Sequence, residues 1–413
     1  MTMAGNCPRT GVFVCGCGPN IAGQLDIESV AAAAAGLDGV VLAETWGLLC
    51  SPDGKRHLAD RIRESGLERV VIAACSPRDH EKTFQDVCAG AGLNPFMMEM
   101  ANIREHVAWV TRDRTEATAK AVRIVTGAVL RSAALRPLEQ TGIVAEPAVA
   151  VVGAGIAGMA AALILAEEGR RVTVLDRSTE AGGAAVLAGN PLAVELRDRF
   201  LAEPGITFLP GTEPAEVPGF FGNFLLRPRS ATGELFPIVR VGAILLATGC
   251  VRDAEGSCHP AEGFAVLAEM LRVETGDGGF PSRRHAFLDP VSTPVSGVLV
   301  AGGAGGPCSI GSAVMSAGAA AGTILSTLVA GREMETEPRT SVISEILCAG
   351  CRTCMTVCAY AAVSYDAERG ICTVNAVLCK GCGNCAAACP SGAIRAKHYM
   401  PDQIRRQVAG VLA

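Results

Sequence analysis

VAVVGAGIAGMAAALILAEEG occupies residues 149–169. A short apolar run gives way to Gly153-x-Gly155-x-x-Gly158, and an Ala- and Leu-rich helical stretch follows. Asp176 closes the next apolar run, RVTVLD (171–176). The order is strand, glycine turn, helix, strand, acid. The glycines permit a tight turn, close approach of backbone to a pyrophosphate, and helix–strand contact, while the acid suits a ribose hydroxyl. The glycine spacing alone is a weak signal in a chain with 48 glycines. With strand, helix and acid in place it predicts a Rossmann-like dinucleotide site, to which Ile156, Ala157 and Arg177 also belong.

The surrounding residues favour FAD. Gly182-Gly183 follows the second strand, as in many two-dinucleotide flavoproteins. AILLATG (243–249), ending in Ala247-Thr248-Gly249, looks like the strand and turn such proteins place beside FAD. SGVLVAGGAGG (296–306), with Gly302 and Gly303, is similar to their second FAD strand. The chain has one complete fingerprint with its acid, and the stretch from Gly183 to Gly297 is short for a second nucleotide domain. A dedicated NAD(P)H site is therefore not expected. The middle region has no C-x-x-C, which argues against thioredoxin-reductase dithiol chemistry.

Upstream, GVFVC (11–15), GVVLAE (39–44), RVVIAAC (69–75) and PFMMEMA (95–101) read as strands. Helical runs near 26–36, 54–66, 79–91 and 104–134 alternate with them. The pattern predicts an α/β domain over 1–140 with a mostly parallel, doubly wound sheet. Cys15 and Cys17 end the first strand, Cys50 follows the second and Cys75 ends the third. Carboxyl ends of parallel strands share one edge, where ligands bind. Four sulfurs at that edge suggest a [4Fe–4S] cluster, although C-x-C is not a common cluster run. The alternative is four ordinary buried cysteines.

Downstream, the flavin domain spans 141–338, and the polar stretch GREMETEPRTS (331–341) reads as a linker. Residues 339–413 carry a repeat: Cys348, Cys351, Cys354 and Cys358 recur 31 residues later as Cys379, Cys382, Cys385 and Cys389. The second run, CKGCGNCAAACP (379–390), fits C-x2-C-x2-C-x3-C-P completely, whereas the first has Ala359 in place of the proline. In two-cluster ferredoxins the fourth cysteine of each run ligates the other cluster. Two [4Fe–4S] clusters are expected, one on Cys348, Cys351, Cys354 and Cys389, the other on Cys379, Cys382, Cys385 and Cys358. Structural zinc is the alternative, but zinc ribbons usually pair two cysteines per knuckle. Cys7, Cys250, Cys258 and Cys372 show no partner pattern and read as structural. Cys88 falls inside a helical run and reads as core, and Cys308 lies in the flavin-binding stretch, where packing is favoured over a place beside the flavin.

Composition bounds the rest. A net charge of -5 without a long basic run leaves nucleic acid no electrostatic footprint. Eighteen cysteines behind an N-terminus with no apolar signal core suggest reduced thiols and metal rather than disulfides. Val149–Ala166 and Pro290–Gly331 are uncharged, but their glycine patterns suit nucleotide binding better than a membrane span. The six histidines form no close pair at ligand spacing, and no Ser/His/Asp arrangement supports hydrolysis.

VFVCGCGPNIAG (12–23), AACSPRDHEKTF (73–84) and GLNPFMMEMANIREHVAWV (92–110) resemble the N-terminal domain of the heterodisulfide reductase A-type family. The flavin fingerprint and the ferredoxin runs follow in that family's order. The resemblance implies a cytoplasmic iron–sulfur flavoprotein of anaerobic metabolism, with an abbreviated thioredoxin-reductase-like flavin domain. It implies cluster ligation by Cys15, Cys17, Cys50 and Cys75. It also implies electron relay to other redox subunits, either B- and C-like or hydrogenase- or dehydrogenase-linked, and is compatible with a homodimer. Long members carry an inserted ferredoxin, and in them the flavin bifurcates electrons. Here GNFLLRPRSATGELFPIVRVGAILLATG (222–249) runs through that place with no cysteine run. Short A-like subunits look like those of heterodisulfide reductase relatives and of class II benzoyl-coenzyme A reductase complexes. The rival reading is a self-sufficient NAD(P)H-dependent flavin oxidoreductase.

Overall fold

The computed structural model describes residues 7–140 and 142–413. Residues 1–6, read above for a signal core, and residue 141 lie outside the described residues. The chain divides into two compact units. Met1–Gln140 joins Glu337–Ala413 in one, and Thr141–Thr336 forms the other.

The first unit opens with β1 (Thr10–Cys15), α1 (Ile27–Ala35), β2 (Val40–Trp46), α2 (Pro52–Glu64), β3 (Arg69–Ala74), α3 (Pro77–Gly90), β4 (Met98–Asn102) and α4 (Arg114–Ser132). Side-chain caps start each helix. Asp26 accepts from Ser29 N, Ser51 from Gly54 N, Ser76 from Arg78 N and Asp113 from Glu116 N. The strands are parallel in the order β2-β1-β3-β4. Both sheet faces are covered, as the continuous apolar runs of β1 and β3 require. Val12, Val14, Val71 and Ala73 share one core with Ala31, Ala121 and Val125 of α1 and α4. Phe13, Ile72 and Ala74 share the other with Leu58 and Phe84 of α2 and α3.

The helical run expected over 104–134 is broken. Arg104–Ala108 forms a separate wide turn, held by Asn102 Oδ1 accepting from Glu105 N at 3.0 Å, and α4 starts afresh behind Asp113. Likewise Pro95–Met97 is a short turn capped by Asn94, so the last strand begins only at Met98.

The second unit contains β5 (Val149–Val152), α5 (Ile156–Glu167), β6 (Val172–Asp176), β7 (Ile206–Pro210), β8 (Ala243–Leu246), β9 (Val298–Val300) and α6 (Ile310–Thr327). Its parallel sheet runs β9-β8-β5-β6-β7. The order reverses between β5 and β8, so the ends of these two strands flank a crevice. By length and composition alone α6 could cross a membrane. Here Ala313, Ala317, Ala320, Ala321 and Ile324 are buried in the core that also takes Ala157, Ala160 and Ala161 of α5.

The C-terminal segment adds β10 (Ser341–Ile343), β11 (Val363–Asp366), β12 (Ile371–Val374), β13 (Ile394–Ala396) and α7 (Pro401–Leu412) to the first unit. β10 pairs with β13 and β11 with β12, both antiparallel. α7 lies on α4 at two glycines: a β-carbon on Gly410 would stand 2.7 Å from Gly127 Cα. Arg131 Nη2 donates to His398 O at 2.8 Å, and Gln403 Nε2 to Ala134 O at 3.0 Å.

Candidate functional site: a nucleotide cleft and three groups of cysteines

The turn after β5 is built from bare backbone. Gly153 has φ 112°, and a β-carbon there would stand 2.3 Å from Ala247 O. On Gly158 it would stand 1.8 Å from Gly153 O, so no larger residue fits without moving the turn. A β-carbon on Gly155, the residue preceding α5, would meet nothing within 4 Å. The space beside the start of α5 is thus open at Gly155, and the N-terminal N–H groups of a helix suit an anion. Gly182 N donates to Ala154 O at 2.8 Å, and Gly182 and Gly183 both have positive φ. Asp176 accepts from Ala154 N at 2.6 Å and Ser178 N at 2.7 Å. This fixes the carboxylate at the end of β6.

Val152, Gly153, Asp176, Arg177 and Thr248 line a cleft of about 260 Å³. Thr248 Oγ1 is buried and has no hydrogen-bond partner. Buried hydroxyls are normally satisfied, so this one fits a cleft whose ligand supplies the partner. Gly302 packs on Ala157, and its N–H donates to Ser316 Oγ at 2.9 Å, while Gly303 lies against Cys250. Sequence reasoning missed the rest of the lining, including Glu262, Phe264 and the Glu213–Arg229 ion pair at 2.6 Å. Those residues come from elements with no spacing relation to the fingerprint.

At the carboxyl edge of the first sheet, Cys15 and Cys75 are buried, and Cys17 and Cys50 are half-buried. Leu49 N donates to Cys15 Sγ at 3.4 Å, which draws the segment before Cys50 onto the end of β1. Cys17 has a φ of 46°, uncommon outside glycine and a mark of a constrained site. Burial pushes the Cys75 thiol up to about 11, opposed by the Arg104 guanidinium and reinforced by Cys17 and Cys15. Burial also raises Cys15, with Cys17 and Cys50 adding to the shift. Arg104 Nη1 lies 3.8 Å from Cys17 Sγ, and Arg104 is anchored by Asp79 at 2.7 Å. Arg104 is a further residue of this pocket that sequence reasoning did not single out.

In the C-terminal segment, Cys358 lines one cavity with Cys379, Cys382 and Cys385. Cys351 and Cys389 interact electrostatically, as do Cys351 and Cys354. Backbone N–H groups point at the sulfurs: Cys372 N at Cys348 (3.5 Å), Ser341 N at Cys379 (3.4 Å) and Ala362 N at Cys358 (3.3 Å). The Thr353 hydroxyl lowers the Cys351 thiol. Burial acts to raise Cys389, but hydrogen bonds from Ser391 and the backbone at Ile394 and Ala393 outweigh it. Donors gathered around sulfur favour the thiolate, the form that binds iron. Among the described residues no cysteine is in a disulfide. Nor do three His, Cys, Asp or Glu side chains close on the point a single metal ion would take.

Residues 148–203 match the FAD-dependent oxidoreductase family, and residues 347–393 match the 4Fe-4S dicluster domain. The chain is thus an iron–sulfur flavoprotein of α/β fold whose cofactors are FAD and [4Fe–4S] clusters. Over about half its length it is similar to the A-type subunits of heterodisulfide reductases. It is 37% identical over 227 residues to the A-type iron–sulfur protein of the CoB–CoM heterodisulfide reductase of Methanocaldococcus jannaschii, covering 52% of this chain and 35% of the relative. It is 39% identical over 233 residues to the A-type protein of the ferredoxin/F420H2-dependent CoB–CoM heterodisulfide reductase of Methanosarcina acetivorans, covering 53% and 29%. It is 36% identical over 271 residues to the A-type protein of the H2:CoB–CoM heterodisulfide,ferredoxin reductase of Methanothermobacter marburgensis, covering 61% and 38%. The matches thus span about a third of the length of these curated relatives. Among solved structures, an oxidoreductase from Agrobacterium tumefaciens aligns with 45% of this chain and 99% of its own, at 16% identity and a TM-score of 0.33.

Proposed function

We propose that this chain is the electron-transfer subunit of a multi-subunit oxidoreductase of the heterodisulfide reductase kind. It relays electrons between a flavin, [4Fe–4S] clusters and partner redox subunits in a cytoplasmic complex. The observation that carries this reading is one dinucleotide cleft and three groups of four cysteines on a single chain, without a second dinucleotide fingerprint. FAD exchanges electrons in pairs or singly and a [4Fe–4S] cluster singly, so a chain holding both joins the two kinds of chemistry.

The residues divide the work. Gly153, Gly155 and Gly158 keep the start of α5 bare for the pyrophosphate, with Ile156 and Ala157 on its first turn. Asp176 is held to accept from the ribose, beside Arg177. Thr248 offers its unpartnered hydroxyl to the cofactor. Gly182, Gly183, Ala247, Gly249, Gly302 and Gly303 let the backbone close in around it. Cys348, Cys351, Cys354 and Cys389 hold one cluster, and Cys379, Cys382, Cys385 and Cys358 the other. Cys15, Cys17, Cys50 and Cys75 hold a third, with Arg104 keeping positive charge beside Cys17 and Cys75. Partner subunits complete the path, and a homodimer is compatible with it.

The isolated chain, purified without oxygen, tests the reading. Its flavin should bleach with dithionite and stay oxidised with NADH or NADPH. Rapid bleaching by either nicotinamide would contradict this electron-relay reading and install the self-sufficient oxidoreductase in its place.

A further inference from the structure

The repeat in the C-terminal segment reaches below the ligands. Ser341 on β10 and Cys372 on β12 stand 31 residues apart, each close before the first strand-to-cluster loop of its half: Cys348 follows Ser341 by seven residues, and Cys379 follows Cys372 by seven. Their backbones do the same thing across the halves: Cys372 N–H donates to Cys348 Sγ at 3.5 Å, and Ser341 N–H to Cys379 Sγ at 3.4 Å. Their side chains reach the third cysteine of those same runs. While Cys385 carries its proton its Sγ–H donates to Ser341 Oγ at 3.3 Å; a sulfur bound to iron has no proton to give, which leaves the hydroxyl as the donor. The Cys372 thiol lies in the same buried cluster as Cys354. Both residues are buried, Ser341 at 4% and Cys372 at 2% exposure. Position and backbone contact are thus repeated, but a hydroxyl stands under one run and a thiol under the other.

We propose that Ser341 and Cys372 are paired positioning residues that set the reduction potentials of the two clusters separately. The hydroxyl holds the Cys379–Cys382–Cys385–Cys358 cluster higher than a thiol would, and the thiol leaves the Cys348–Cys351–Cys354–Cys389 cluster lower than a hydroxyl would. The inference rests on the ligand assignment proposed above. Reduction adds negative charge to a cluster, and donors to its sulfurs stabilise that charge and raise the potential. An S–H is a weak donor, whereas an O–H is a full one. Burial makes the difference persist, because water cannot take the place of a missing donor. The other two hydroxyls beside ligands lack that protection. Thr353 at Cys351 (3.4 Å) and Ser391 at Cys389 (3.6 Å) sit at the exposed edge, where solvent supplies the same bond.

The test is a potentiometric titration of the full-length chain, followed by electron paramagnetic resonance, with iron content measured alongside. Ser341→Ala should lower the potential of the second cluster and leave the first unchanged. Cys372→Ser should raise the first and leave the second unchanged. Ser341→Thr, which keeps the hydroxyl, should behave as the parent. If Ser341→Ala assembles poorly, Ser341→Cys exchanges the donor at nearly constant size and should again lower the second cluster alone. Unmoved potentials at full iron content would overturn the pairing while leaving the ligand assignment standing. Loss of about four irons from Cys372→Ala would overturn it by making Cys372 a ligand. A parent chain without [4Fe–4S] signals would sink the ligand assignment and the inference together.

Discussion

The two parallel sheets reverse strand order in the same way, yet they prepare their open edges for different occupants. In the first unit, β1 ends in Cys15-Gly16-Cys17-Gly18, and sulfur from Cys75 and Cys50 collects beside it. In the second, β5 runs into Gly153-Ala154-Gly155, and the turn before α5 is almost bare of side chains, with Gly153 lining the cleft. One edge gathers soft sulfur side chains and the other is bare backbone; in the reading proposed above the first takes iron and the second a phosphate. The crevice follows from topology, and the few residues after the first strand decide what fills it.

The comparison breaks most sharply if the stripped edge is refilled. Gly158→Val puts carbon where Gly153 O stands and should abolish flavin content, read from absorbance near 450 nm, while iron remains. Retention of FAD would mean the backbone cradle is not the site. At the furnished edge, Cys75→Ser should remove about four irons per chain and leave the flavin spectrum intact. An unchanged iron count would return the four N-terminal cysteines to ordinary core.

Two smaller effects sharpen the description of the first unit. Gly127→Val should lower its melting temperature, because the new side chain meets Val411 Cγ2 at 2.7 Å and Gln407 O at 2.8 Å. Overpacking of this kind costs about 1–3 kcal/mol. His398 should give this unit a mild acid sensitivity. Burial lowers its pKa below the ordinary 6.5, and its ring bonds Arg136 O at 2.8 Å. The folded state therefore prefers the neutral ring. The stability linked to it is full above about 6.5 and is lost as pH falls from there through the lower folded value. Denaturation curves at pH 7.5 and 5.5 should separate for the parent and draw together for His398→Gln.

How legible each region was in the sequence follows from what builds it. The nucleotide turn could be read because every glycine answers a backbone demand at a fixed spacing: Gly153 for its positive φ, Gly158 for its contact with Gly153 O. The ferredoxin runs could be read because three cysteines of each run fall in one short loop at fixed spacing, and residues 347–393 match the 4Fe-4S dicluster domain. The N-terminal pocket was visible only after the strands had been placed, since its cysteines are spread from residue 15 to residue 75. Arg104 was hidden inside what looked like one long helix, and the turn that frees it depends on Asn102. Most obscure was the union of the first and last segments in one unit. It rests on Gly127 meeting Gly410 and on Arg131 reaching His398 O, matches between distant single residues that leave no local pattern.

The central claim, three [4Fe–4S] clusters and one flavin on one chain, is tested most directly by counting iron, zinc and FAD in the full-length protein purified without oxygen. The account predicts about twelve irons and one FAD per chain, with no zinc. Zinc without FAD would contradict it outright, and about eight irons with FAD would strike out the cluster at the edge of the first sheet.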